Sequence, residues 1–145
     1  MLASVSRVYA GYIDGRAQTP RYTQRQLKKL HDALLDAKSS IQDAVRKDFG
    51  YSTTEFDIEY FLALDCVKEL YSSIDIKRAM EEEYSLANLR DRPSKTTAIG
   101  CVYIVPSTHS LLYSTIGPLS AAIAAGNCVI IEVRYNLSED GGIYS

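Results

Sequence analysis

The chain has 145 residues, 46% of them hydrophobic and 23% charged, enough to bury one core and too few for several domains. Its formal charge of −2 gives no electrostatic case for nucleic-acid binding, and no apolar stretch approaches the length of a membrane span. Three cysteines without CxxC spacing, Cys66, Cys101 and Cys128, fit buried thiols better than disulfides or metal ligands.

Residues 1–12 lack the apolar block of a secretion signal, and Leu2, Val5, Val8 and Tyr12 recur at helical spacing. A packing helix and a cytoplasmic protein are expected. Gly11, Asp14 and Gly15 interrupt that pattern, and Thr19-Pro20 restarts it, since proline is favoured at a first helical position. Leu27, Leu30, Leu34, Ala37, Ile41, Val45 and Phe49 then form one stripe, with a bend after which Ser39 and Gln42 are candidates to cap a second segment. Lys28, Lys29, Arg46 and Lys47 lie off the stripe as a solvated face, and His31 beside it reads as a structural or surface residue, not a catalytic one. Gly50 closes the pair.

Thr53-Thr54 with Glu55 and Asp57 is an acidic helix start. The helix is predicted to run to about Glu83 with Phe56, Tyr60, Leu64, Val67, Tyr71, Ile74 and Arg78 on one face, and Glu55, Glu59 and Lys68 on the surface. Glu81-Glu82-Glu83 point in different directions and are a solvated helix end, not a metal or acid-base cluster. Residues 84–99 turn polar, with Asp91-Arg92-Pro93-Ser94 as the turn of an arm. The tail, residues 136–145, reads as frayed.

Residues 100–133 are the centre of the chain. An apolar run from Cys101 to Val105 ends at Pro106-Ser107, as a strand entering a loop does. A helix follows with Leu112, Ile116, Leu119 and Ile123 on one face and Ser120, Ala121, Ala124 and Ala125 at sites of close approach. Gly126-Asn127 is a left-handed stop, and Cys128 opens a second apolar run expected to be covered on both faces. Parallel pairing is the default for strand, helix, strand. The expected fold is α/β, with amino-terminal helices (1–83) and an arm (84–99) on an incomplete Rossmann-like unit (100–135) followed by the tail.

Gly117-Pro118-Leu119, the block from Ala121 to Asn127 and Val129-Ile130-Ile131 resemble the first strand-helix-strand of the cofactor domain of aldehyde dehydrogenases. The preceding helices resemble those of the fatty-aldehyde branch in order and spacing. The resemblance implies that residues 84–99 correspond to a strand extension used for subunit contacts. It also marks departures. The family's tryptophan-asparagine pair, whose asparagine donates to the oxyanion, becomes Thr108-His109. The lysine that contacts the cofactor ribose becomes Glu132, and the proline, serine and glutamate after it become Val133, Arg134 and Tyr135. The sequence stops before the family's second glycine motif, its general-base glutamate and its nucleophilic cysteine. These departures lead to the expectation of a truncated homologue without dehydrogenase activity, without bound NAD or another cofactor and without a metal, its sheet completed by homodimerisation.

Two functions fit this reading. In the first, residues 106–110 and the next helix turn line an apolar pocket for non-redox chemistry on a small apolar metabolite, an isomerisation, dehydration or cyclisation. His109 and Tyr113 are the catalytic candidates, with His109 moving the proton, while Ser107, Thr108, Ser110 and Gly117 contact the substrate. The resemblance places positions matching His109, Ser110, Tyr113 and Gly117 along the family's substrate tunnel. In the second, the region is catalytically silent and binds a partner protein, and His109 is a loop histidine satisfied by a neighbouring backbone group.

Overall fold

A computed structural model of the protein describes residues 2–87 and 98–132. Their order is α1 (Leu2–Ile13), a short 3-10 turn (Arg16–Gln18), α2 (Pro20–Asp36), α3 (Lys38–Phe49), α4 (Thr53–Ser73), α5 (Ile76–Ala87), β1 (Cys101–Ile104), α6 (Leu111–Ala124) and β2 (Cys128–Ile131). The fold is α/β, mostly helical around a small parallel sheet. The turn of the expected arm at Asp91-Arg92-Pro93-Ser94, residues 133–135 and the tail lie outside the described residues, while Tyr84 belongs to α5.

Thr19 precedes α2, and Pro20 begins it. The bend after α2 falls at Ala37 without a side-chain cap, so Ser39 lies inside the first turn of α3 instead of capping it. Gly50 ends α3 at φ 68°, a left-handed conformation that suits glycine. Ser52 and Glu55 then form a reciprocal capping box. The Glu55 N–H donates to Ser52 Oγ at 3.3 Å, and the Ser52 N–H donates to Glu55 Oε2 at 2.8 Å.

The predicted long helix breaks at Ile74–Asp75, because the Asp75 carboxylate accepts the Arg78 N–H at 3.1 Å and caps α5 as a separate helix. The core stripe on α4 also differs from the expected one. Phe56, Glu59, Tyr60, Ala63 and Val67 are buried, and Glu59, assigned to the surface from sequence, is only 7% exposed. Tyr71 is exposed instead. Tyr60 donates its hydroxyl to the Leu34 carbonyl at 2.9 Å and ties α4 to α2, and burial raises its pKa.

The main core joins Leu27 and Leu34 of α2, Ala63 and Val67 of α4 and Ile116 of α6, with Leu112, Leu119 and Ile123 packed around it. Small residues let α4 and α6 approach: Ala63 and Ser120 are buried there and Ala124 packs against the same core, whereas Ala121 and Ala125 are exposed. Ser120 is fully buried, with its hydroxyl 2.8 Å from the Gly117 carbonyl it donates to and 3.6 Å from Cys66 Sγ.

The block from Ala121 to Asn127 locks α6 onto the start of the sheet. Gly126 has φ 77°, and a Cβ there would lie 3.1 Å from the Ala17 carbonyl oxygen, so both its conformation and its neighbour demand glycine. The Asn127 side chain accepts the Gly100 N–H at 2.9 Å. β1 and β2 pair in parallel with Cys101 opposite Cys128 and Ile104 opposite Ile131. Both α1 and α6 pack against β2. β2, expected to be covered on both faces, is half-buried along its length, and on β1 Cys101 and Tyr103 are exposed while Ile104 is buried. Cys101 is thus not the buried thiol expected from its apolar run; Cys66 and Cys128 are half-buried.

Candidate functional site

The loop between β1 and α6 gathers most of the polar candidates. The Ser107 N–H donates to Ser114 Oγ at 3.1 Å, and the His109 N–H donates to Ser107 Oγ at 3.2 Å, which folds residues 107–109 into a tight turn over the first turn of α6. Ser110 follows at φ 60° and ψ 49° as the residue preceding the helix. It is the one non-glycine residue at positive φ among those described. A left-handed serine costs about 1–2 kcal/mol, so neighbouring contacts must hold it.

Those contacts come from distant parts of the chain. The Ser110 N–H donates to the Tyr51 hydroxyl at 3.1 Å, and the Tyr113 N–H donates to Glu59 Oε1 at 2.9 Å. The N-terminus of α6 is therefore capped by a buried carboxylate from α4 and a phenol from the α3–α4 connection, not by its own Ser110 side chain. Neither Tyr51 nor Glu59 was singled out for this role from sequence. The available signal was the position of Glu59 among Phe56, Tyr60 and Ala63, on what proves to be the packed face of α4.

Of the six candidate residues, Ser107, Thr108, His109 and Ser110 are exposed on the turn, Tyr113 is 43% exposed, and Gly117 is half-buried beside the Tyr113 ring. The turn thus brings Ser107, Thr108, His109 and Ser110 together, with Tyr113 and Gly117 on successive turns of α6. His31, read as structural or surface, lies with Nδ1 3.6 Å from the adjacent Asp32 carboxylate.

A cleft of about 380 Å³ opens between α3 and α6. Ile41, Val45 and Phe49 line one side, and Leu111, Leu112 and Ile116 the other. On the α6 side its lining starts at Leu111, two residues beyond His109, and it includes none of the six candidate residues.

Glu132, just past β2, accepts a hydrogen bond from the Tyr103 hydroxyl across the sheet, and its N–H donates to the Ile104 carbonyl at 2.9 Å. No helix among the described residues is long and apolar enough to cross a membrane.

Comparison with known proteins finds no family model and no solved structure that matches. Curated sequences do match. The chain is 26% identical over 137 residues to aldehyde dehydrogenase family 3 member B1 of Bos taurus, covering 89% of this chain and 28% of that protein. It is 30% identical over 123 residues to aldehyde dehydrogenase family 3 member B2 of Mus musculus, covering 81% and 25%. It is 26% identical over 130 residues to a probable coniferyl aldehyde dehydrogenase of Pseudomonas aeruginosa, covering 84% and 27%. The chain spans about a quarter of the length of these relatives. Similarity spread over most of its residues identifies it as a diverged aldehyde dehydrogenase-like region.

Proposed function

We propose that this region has left dinucleotide-dependent oxidation and supports cofactor-independent, non-redox chemistry on a small metabolite with an apolar body and a carbonyl or hydroxyl head. The observation that carries the reading is the turn ahead of α6, where Ser110 is held in a left-handed conformation by Tyr51 with Glu59 capping the next turn. Strain held in place by distant residues clusters at functional sites, where it fixes a loop before a ligand arrives. His109 stands exposed on that turn and serves as the general acid or base of an isomerisation, dehydration or cyclisation. Tyr113, Ser107 and Thr108 orient the polar head. The cleft that starts at Leu111 takes the apolar body.

Loss of the dinucleotide follows from Glu132. The resemblance aligns it with a lysine that contacts the cofactor ribose, and here a carboxylate bonded to Tyr103 takes that place. The reading further treats the sheet as an incomplete Rossmann-like unit, completed by a second copy of the chain in the cytoplasm. A second reading, a silent region that binds a partner protein, is favoured by the exposed outer face of α4, where Ile58, Phe61 and Leu62 lie at helical spacing.

One experiment separates the two. The purified protein is incubated with small-molecule extracts of its source, and the mixture is followed by mass analysis. The enzymatic reading expects a metabolite to be converted without added nucleotide, and His109→Gln to lower that turnover by about a hundredfold at unchanged thermal stability. Calorimetric titration is expected to show no micromolar affinity for NAD or NADP. Full turnover in the His109 variant, or micromolar binding of either nucleotide, would sink it.

A further inference from the structure

The sheet register sets two of the three cysteines side by side. Cys101 and Cys128 are direct partners in the parallel ladder, and partners in register project from the same face of a sheet. The face itself is fixed by a second contact. Tyr103, two residues beyond Cys101, donates its hydroxyl to Glu132, four beyond Cys128, so side chains at these even offsets reach one another across the strands. Cys101 is exposed and Cys128 half-buried, so a reagent from solvent has access to the pair. Cys66 stands apart, against Ser120 between α4 and α6.

Strand spacing decides what such a pair can do. Neighbouring strands lie about 4.7–4.9 Å apart and in-register side chains leave them in parallel, whereas a disulfide needs Cβ atoms about 3.5–4.5 Å apart. Direct oxidation would require the strands to shift. A single atom bonded to both sulfurs spans a wider gap, since metal–thiolate bonds are each about 2.3 Å long.

We propose that Cys101 and Cys128 form a chelating dithiol site for one thiophilic metal or metalloid centre. Soft thiolates select such centres over hard cations. Among the described residues no group of three or more His, Cys, Asp and Glu gathers for a metal ion, so the site suits a centre content with two protein ligands. Burial first, and then the neighbouring Cys101, push the Cys128 thiol up, which agrees with two sulfurs close enough to repel as thiolates. The inference does not depend on the chemistry proposed for His109.

Phenylarsine oxide is the probe. Its trivalent arsenic forms two As–S bonds, its oxygen leaves as water with the two thiol protons, and no atom changes oxidation state. The reduced protein is treated with one equivalent, challenged with excess monothiol and then with a dithiol, and weighed intact at each step. One adduct per chain should resist the monothiol and be removed by the dithiol. Cys101→Ser and Cys128→Ser should each lose the resistant adduct, and Cys66→Ser should keep it. An adduct that the monothiol strips from the unmodified protein, or one that survives in Cys128→Ser, would overturn the proposal. Cys101 is exposed, so its serine variant tests the site without disturbing the core.

Discussion

Glu59 shows how one side chain can organise a site that it does not enter. Its carboxylate lies on the packed face of α4 and accepts the Tyr113 N–H at 2.9 Å, where the first turn of α6 has donors without helical partners. Glu59→Ala removes that acceptor and leaves a partly buried N–H bare, an expected loss of about 1–3 kcal/mol. Glu59→Gln keeps an amide oxygen of similar reach and should lose less. Urea denaturation of the three proteins at neutral pH measures both. Equal losses would assign the effect to charge alone, with no part for the missing acceptor.

At the scale of an element, α4 is delimited by caps more than by its apolar pattern. Its first turn is closed by Ser52 and Glu55, and hydrogen bonds from the Ser52 backbone and then its side chain hold the Glu55 carboxyl below its ordinary value of 4.5. A depressed folded pKa means that this contribution is complete above the unfolded value and is lost as pH falls through the lowered folded value. Glu55→Gln is therefore expected to be less stable than the unmodified protein at neutral pH, with the gap closing in acid. Denaturation midpoints from neutral pH down through the carboxylate range test it. A gap that stays constant into acid would mean that the ionised carboxylate adds nothing to the cap. At the other end, Asp75 stops α4 from continuing as one rod.

At the scale of the whole molecule, the described residues leave large apolar side chains exposed on the sheet and on the outer face of α4. The described sheet has two strands, Tyr103 is 57% exposed on it, and Phe61 is 66% exposed on the outer face of α4. A homodimer is expected, with sheet edges joined or apolar faces covered. Light scattering after size exclusion at low micromolar concentration should give twice the chain mass. A monodisperse monomer would refute it and leave these surfaces to some other covering segment.

Local chemistry made much of the fold legible. Pro20, Gly50 and Gly126 mark helix boundaries because their backbone preferences operate within a few residues, and the run from Cys101 and the run from Cys128 are too short and too apolar for anything but strands. The block ending in Gly126-Asn127 also carried the resemblance to aldehyde dehydrogenases, and its glycine and asparagine answer to fixed neighbours, Ala17 and Gly100. The sequence likewise picked out the residues 107–110 as polar groups ahead of a helix. Tertiary structure alone decided what holds them. Tyr51 and Glu59 lie 59 and 54 residues from the backbone groups they accept from, and no local pattern encodes a contact at such separations. The same limit explains Cys101, whose apolar run suggested burial. Exposure depends on which faces of the sheet find a neighbour, and the pairing of Cys101 with Cys128 exists only once the two strands align.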